Sequence, residues 1–406
     1  MSSTTPRPPK NFVPEPFAYH EEIELRIDDL TNLGEGVGRI DGWVVMVPFA
    51  LPGERVKARI WRNKKNYSDA DLVGILEASP DRVEPPCPLF MECGGCQYQH
   101  LSYDGQKRWK TNQIHELLKR LGGIETEVQP CWGSPETYGY RSKLTPHYDK
   151  PKDGRLRAIG FQRFANRSIV DVPQCPIASP AINEALPQAR AELQTRTKKM
   201  RKGGTLLLRD SLEGVTSDNR AIIMERVGDR TFQFVAGEFF QNNPHILPEL
   251  VGYALKEAEG PRFLVDAYCG VGVFGLCGAD RFERVAGVEV NPTAIELARV
   301  NARINGVSNI DFVAGSAEAI FAGLEFPGAE TAVILDPPRK GCDEVFLRQL
   351  FAFAPARIVY VSCGPDTQAR DLKSILAEGY SLDRVQPFDL FPQTRHIENV
   401  VTLSRQ

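Results

Sequence analysis

Hydrophobic and polar positions change their rhythm along this chain. From His20 to about Pro80 the pattern is short and alternating: Ile23, Leu25 and Ile27 recur at every second position, Val44 to Val47 is an apolar run, and Glu54 to Trp61 alternates apolar with charged residues. A period of two marks a strand with one buried face. Turn formers at Asn32 to Gly38, Asp41-Gly42 and Pro52-Gly53 separate the runs, so this stretch predicts a small OB-like β-barrel. A helical pattern follows from about Tyr103 to Leu121 and stops at Gly122-Gly123. Residues 124 to 235 read as sheet-rich, with short runs at Gly160-Phe161, Ser168 to Val172, Thr205 to Arg209 and Ala221 to Val227.

From Pro261 strands and helices alternate. Strands are predicted at Arg262 to Tyr268, Val285 to Val290, Ile310 to Val313, Thr331 to Leu335 and Ile358 to Val361, with helices at Pro292 to Asn305 and about Asp366 to Ala377. This alternation implies a doubly wound parallel α/β sheet. Ser381 to Pro387 and Ile397 to Leu403 have no helical pattern between them, so they predict an antiparallel hairpin at one edge. The expected organisation is a disordered Pro-rich N-terminus over 1–17, a barrel over 18–80, a central region with a cysteine motif over 81–240, and the α/β domain over 241–406.

Composition narrows the partners. The 406 residues hold 49 basic and 52 acidic side chains, for a net charge of −3. An anionic partner must therefore meet local basic patches. Two stand out: Arg55, Lys57, Arg59, Arg62, Lys64 and Lys65, interleaved with Trp61 and Tyr67, and the run Arg196, Lys198, Lys199, Arg201, Lys202. The first suits a single-stranded nucleic acid groove or, equally, a solvated edge strand. The first 17 residues lack a secretory apolar stretch, and no run is long enough to span a membrane. A reducing cytoplasm, no membrane and no obligate protein partner are expected, and nine cysteines there predict ligands, nucleophiles or core fillers rather than disulfides.

Asp266-Ala-Tyr-Cys-Gly270-Val-Gly272 follows a strand and opens a helix, where glycines allow close approach to a ligand. Glu289 ends the next strand, a position from which a carboxylate can accept both ribose hydroxyls. A dehydrogenase would meet these conditions too. Asp336-Pro337-Pro338 at the end of the fourth strand resembles instead the S-adenosylmethionine-dependent methyltransferases of nucleobases. Members that methylate exocyclic amines generally follow the prolines with Tyr or Phe, whereas Arg339 stands here.

Ser362-Cys363-Gly364-Pro365 ends the fifth strand. Carbon 5 of uracil is too weak a nucleophile to take a methyl group unaided. A thiolate added at carbon 6 makes carbons 4 and 5 an enolate that can attack the methyl. A base must then remove the carbon-5 proton, and Glu398 and His396, two residues apart, are available for it.

Together, Phe239-Phe-Gln241-Asn-Asn243, the Asp266 to Gly272 turn, Asp336-Pro-Pro-Arg-Lys-Gly, Ser362-Cys363 and Phe391-Pro-Gln-Thr-Arg-His396-Ile-Glu398 strongly resemble the RNA uracil-5 methyltransferase family, over nearly the whole chain from about residue 20. The resemblance implies a Rossmann-like class I methyltransferase domain, a barrel of the TRAM kind that binds RNA, and a sheet-rich central region. It implies Cys363 as nucleophile and Glu398 as base. Cofactor contacts to S-adenosylmethionine are implied from Gln241, Tyr268, Glu289, Asp336 and Ser316, with Phe239 facing the target base. Departures are Gly364, where the family usually has Asn, and Val273, where relatives often have Asn.

Cys87-x5-Cys93-x2-Cys96 with a distant Cys175-Pro176 favours a [4Fe-4S] cluster over zinc, which usually takes paired short spacings; it is also the pattern of the family's iron–sulfur members. Because this arrangement resembles the ribosomal enzymes, 23S ribosomal RNA is the expected substrate. Transfer RNA T-loop uridine, RNA cytosine carbon 5, and an inactive RNA-binding iron–sulfur protein are the alternatives.

Overall fold

A computed structural model describes residues 7–164, 166–315, 321 and 324–406. The chain forms two compact units. One gathers the chain up to Trp109 with Arg163–Asn166 and Gln393–Arg395; the other holds Lys110–Gln162, Arg167–Pro392 and His396–Gln406.

In the first unit, β1 (Glu22–Leu30), β2 (Glu35–Ile40), β3 (Trp43–Pro48), β4 (Arg55–Asn63) and β5 (Tyr67–Glu77) close into a barrel in the order β1-β2-β3-β5-β4. The alternation works as read: Ile23, Leu25, Ile27, Val56, Ala58 and Ile60 point into one apolar core. The charged residues between them take the solvated-strand role, one of the two readings open to them. Arg55 pairs with Glu24 and Glu77, Lys57 and Arg59 with Glu22, and Arg62 with Asp69. These are exposed cross-strand ion pairs, so the positive charge of β4 is largely balanced on its own sheet. Lys64 and Lys65, in the turn before β5, have no carboxylate partner among the described residues. There Lys64 stands 5.7 Å from the Tyr67 ring, and Arg62 stacks 4.4 Å over Trp61.

Helix α1 (Tyr103–Leu117) is followed by a π-helical turn, Leu118–Gly122. The second unit then has short strands β6 (Lys143–Leu144), β7 (His147–Tyr148), β8 (Ile159–Gln162), β9 (Ile169–Asp171), β10 (Gly204–Thr205) and β11 (Leu208–Arg209), and the hairpin β12 (Ile222–Val227) and β13 (Arg230–Val235). This sheet-rich region also carries a helix the sequence pattern concealed, α2 (Pro180–Thr195). Pro187 lies inside it and interrupts the expected helical reading. The Ser179 side chain caps it, accepting from the Ile182 N–H.

The rest of this unit is the α/β domain. Its strands are β14 (Phe263–Ala267), β15 (Arg284–Glu289), β16 (Ile310–Ala314), β17 (Thr331–Leu335), β18 (Arg357–Ser362), β19 (Tyr380–Phe388) and β20 (Glu398–Arg405). Its helices are α3 (Leu247–Ala258), α4 (Val273–Gly278), α5 (Pro292–Ile304), α6 (Glu344–Phe353) and α7 (Pro365–Ala377). The sheet order is β16-β15-β14-β17-β18-β20-β19, with every strand running the same way except β20, which is antiparallel to both its neighbours. Strands β14, β17 and β18 are buried along almost their whole length, and one apolar cluster lies on each face of the sheet. The strand order reverses between β14 and β17, the place where open α/β sheets bind ligands.

Candidate active site

Strand register sets the site. Val288 pairs with Ala267, Ala267 with Leu335, Leu335 with Tyr360, and Ser362 with Asn399. The residues just past these pairs, Glu289, Tyr268, Asp336, Cys363 and Glu398, therefore share one edge of the sheet on successive strands, about 4.8 Å from strand to strand. Five residues spread over 130 positions of sequence become neighbours because four of them close apolar strands and Glu398 opens one that runs the opposite way.

At the β14 end the chain turns sharply. Tyr268, Gly270 and Gly272 have φ of 63°, 53° and 89°. A Cβ on Gly272 would lie 2.9 Å from the Phe312 ring, whereas one on Gly270 would face open space. The Gly270 N–H donates to Glu289 Oε2 at 3.1 Å and the Asn291 N–H to Oε1 at 2.9 Å, which fixes the carboxylate while leaving acceptor capacity on both oxygens. Beneath the turn, wholly buried Asp266 accepts from the Gly275 N–H at 2.7 Å through Oδ2, and its Oδ1 has no partner. Burial pushes its carboxyl up to about 7, the Asp336 and Glu289 charges adding to the effect.

At the next strand ends the charges converge on sulfur. The Cys363 thiol is half-buried. Burial, then the charges of Glu398 and Asp336, push it up to about 11, and Arg339 opposes them. Glu398 is 2% exposed and its Oε2 lacks a partner. Burial holds its carboxyl well above the usual range, with Asp336 adding and Arg339 opposing. Asp336, half-buried, is pushed up to about 7 by burial. His396, the alternative base, lies with its Nδ1 3.1 Å from Arg339 Nη2.

The loop that carries these groups is braced from below. The buried Lys110 ammonium donates to Asp389 Oδ1 at 2.7 Å and to the His396 carbonyl at 2.9 Å. Helix α7 braces the other side: Gln368 Nε2 donates to the carbonyls of Tyr360 and Asn399, and Asn399 Nδ2 donates back to Gln368 Oε1. Asp371 accepts from the Tyr360 hydroxyl and the Cys342 N–H, fixing the chain after Asp336-Pro-Pro. Lys110, Gln368 and Asp371 had no distinguishing pattern in the sequence, since a polar residue on a helix ordinarily marks its wet face.

Phe239 and Gln241 stand on the segment after β13. Phe239 is 74% exposed while Phe240 stacks on Phe234, 4.2 Å between centroids, so one ring anchors the segment and the other is offered outward. Buried Arg209 holds the same segment by donating to Asn242 Oδ1 and the Gln241 carbonyl. Ser316 lies outside the described residues.

The four cysteines of the expected motif fall in both units. Cys87, Cys93 and Cys96 belong to the first unit and Cys175 to the second. All four are half-buried. Among the described residues no group of three or more His, Cys, Asp or Glu side chains gathers to hold a metal ion. Among the described residues, too, no helix is long and apolar enough to cross a membrane.

Comparison with known proteins gives the family. The chain is 41% identical over 418 residues to the tRNA (uracil(54)-C(5))-methyltransferase of Schizosaccharomyces pombe, covering 96% of this chain and 79% of the relative. It belongs to the RNA (uracil-5-)-methyltransferase family. The model of the tRNA (uracil-5-)-methyltransferase family matches residues 218–406, and that of the TRAM domain residues 20–73. An RNA methyltransferase of Halalkalibacterium halodurans is 34% identical over 96% of this chain and 98% of its own length. The crystal structure of the Pyrococcus abyssi tRNA (uracil-54, C5)-methyltransferase in complex with S-adenosyl-L-homocysteine covers 94% of this chain and 100% of its own, at TM-score 0.70 and 27% identity. This uracil-5 methyltransferase is therefore an enzyme with a TRAM barrel, a sheet-rich middle and a Rossmann-like methyltransferase domain.

Proposed function

We propose that this enzyme methylates carbon 5 of a uridine in transfer RNA, with Cys363 as nucleophile, Glu398 as base and S-adenosylmethionine as methyl donor. The observation that carries the reading is the β18–β20 register, which sets a thiol and a buried carboxyl on adjacent strand ends. The relatives' substrates favour transfer RNA. The expectation of ribosomal RNA rested on resemblance alone, and ribosomal RNA is kept as the comparison substrate in the test below. Spacing alone supports the [4Fe-4S] proposal, which iron and sulfide analysis of anaerobically purified protein tests; no step below runs through it.

A nucleoside-bearing donor fits the residues present. Open space over Gly270, the anchored Glu289 carboxylate and half-buried Tyr268 suit a ribose and its base, and Asp336 stands between that turn and the thiol. The donor supplies an electrophilic methyl on a sulfonium. Gln241 is a further cofactor contact on this reading, and exposed Phe239 a surface against which a flipped uracil stacks.

The chain's own residues then act in sequence. Cys363 sulfur adds to carbon 6, and the carbon 5–6 π pair becomes an enolate through carbon 4. Carbon 5 takes the methyl. Glu398 removes the carbon-5 proton, the double bond re-forms, and the sulfur leaves with its electron pair. A carboxyl held above its usual range is a better proton acceptor once ionised than an exposed one.

The test is nucleoside mass spectrometry on transfer RNA and ribosomal RNA incubated with enzyme and S-adenosylmethionine. 5-Methyluridine is expected in transfer RNA, none with Cys363→Ala, and a covalent methylated enzyme–RNA adduct on denaturing gels with Glu398→Gln. Turnover by Cys363→Ala would refute the nucleophile assignment.

A further inference from the structure

The segment from Gly237 to Asn243 carries Phe239 and Gln241 yet lies in no strand or helix. Its carbonyls have no ladder to fix them and must find donors elsewhere. Two paired strands, β6 and β11, and the residue before β6 supply those donors. Lys143 Nζ donates to the Gly237 carbonyl at 3.0 Å and to the Glu238 carbonyl at 2.9 Å. The Ser142 N–H donates to the Asn242 carbonyl at 2.8 Å. Arg209 donates through Nη1 to Asn242 Oδ1 at 2.7 Å and through Nη2 to the Gln241 carbonyl at 3.3 Å. None of these bonds engages the Gln241 amide group. At the start of the segment Gly237 turns tightly, since a Cβ there would lie 2.7 Å from the Asn219 carbonyl oxygen.

The two cations make a costly pair for so short a ladder. Register sets Arg209 directly opposite Lys143, and like charges in that relation destabilise a sheet. Arg209 is wholly buried and Lys143 half-buried, and among the described residues neither forms an ion pair with a carboxylate. Burial, and then Arg209, hold the Lys143 ammonium below its ordinary range. Arg209 lies instead against aromatic faces, 4.9 Å from the Phe234 ring centroid and 5.8 Å from that of Phe240. A ladder needed only for stability would be better served by apolar residues or by opposite charges. What these two side chains add is reach: Lys143 holds the two residues before Phe239, and Arg209 the two after Phe240.

We propose that Lys143 and Arg209 are positioning residues for substrate and cofactor: Lys143 aims the Phe239 ring at the target base, and Arg209 sets Gln241 against S-adenosylmethionine. This rests on Phe239 and Gln241 making the contacts given above. Phe239 is 74% exposed, so its own packing does little to hold it. Fixing the backbone on both sides of the ring removes part of the ordering cost that binding would otherwise carry.

Initial rates of the full-length enzyme on a transfer RNA transcript, with RNA and S-adenosylmethionine varied in turn, separate the two roles. Lys143→Met should raise the KM for RNA roughly tenfold, as the loss of a hydrogen bond from a charged donor requires, with the KM for S-adenosylmethionine within about twofold. Lys143→Arg, whose fork can still reach two carbonyls, should restore most of the loss. Asn242→Ala takes the acceptor from Arg209 without emptying the core. That variant and Arg209→Lys should raise the KM for S-adenosylmethionine by a similar factor and leave that for RNA nearly unchanged. Lys143→Met should add little to Phe239→Ala, because it acts through that ring. The slope of log KM for RNA against log salt should match wild type in Lys143→Met. A slope shallower by about one would put Lys143 on a phosphate and overturn its positioning role. Equal rises in both KM values, or none, in variants that keep the wild-type melting temperature overturn the proposal. If Phe239→Ala and Gln241→Ala leave both KM values unchanged, the contact reading fails and this one falls with it. If those two raise them while Lys143→Met and Asn242→Ala do not, the positioning role alone fails.

Discussion

Three carboxyls, Asp266, Asp336 and Glu398, are held above their ordinary ranges, each chiefly by burial. For an acid this costs stability as pH rises. Below the ordinary value of 4.5 for Glu398 both folded and unfolded chains keep the proton and the term vanishes. Above it the unfolded chain ionises while the fold resists, so stability falls until the folded group also lets go. Glu398→Gln removes the penalty. The melting temperature of that variant relative to wild type should therefore be near zero at pH 4 and grow toward pH 8, by roughly 2–4 °C for each kcal/mol involved; calorimetry at both pH values checks it. Asp336 was legible because it follows an apolar run and is chemically out of place there, and Glu398 because it stands at the start of one. Their electrostatic partners were not. Arg339 and Asp336 act on Cys363 across strand ends that only the register brings together.

Among elements, α7 does the most to hold the edge in place. Gln368 bridges β18 and β20 from within the core, and both it and Asn399 are wholly buried. Gln368→Leu would take a hydrogen-bond partner from the Asn399 amide and from two carbonyls, a loss of roughly 3–9 kcal/mol at about 1–3 kcal/mol for each unsatisfied group. Because the strands it joins carry Cys363 and Glu398, kcat should fall more than tenfold while the KM for S-adenosylmethionine changes little. Urea unfolding and initial rates measure the two effects. The alternation of strand and helix after Pro261 was readable, since apolar runs and glycine turns follow one another without interruption. Helix α2 was not, because Pro187 interrupts its pattern while Ser179 and flanking apolar contacts secure it in three dimensions.

For the molecule as a whole, the barrel's charge pairing limits where RNA can be met. Most cations of β4 already face carboxylates, and the exposed aromatic and cationic groups gather from Trp61 to Tyr67. Trp61→Ala combined with Lys64→Glu and Lys65→Glu should raise the KM for RNA roughly tenfold or more, as the loss of one stacked base predicts, with kcat within about twofold. The wild type should show the steeper salt dependence. Initial rates at two salt concentrations check this. Sequence composition pointed to this stretch but could not separate balanced from unbalanced cations, because that depends on which strands lie side by side.

The order β18-β20-β19 has a temporal side. The chain is made from its N-terminus, so the sulfur at the end of β18 emerges well before the carboxyl that opens β20. On the proposed chemistry, attack on the ring is encoded earlier than the means of letting go. Biosynthesis thus installs product release last, and any polypeptide halted between the two would carry a nucleophile with no way to free its RNA.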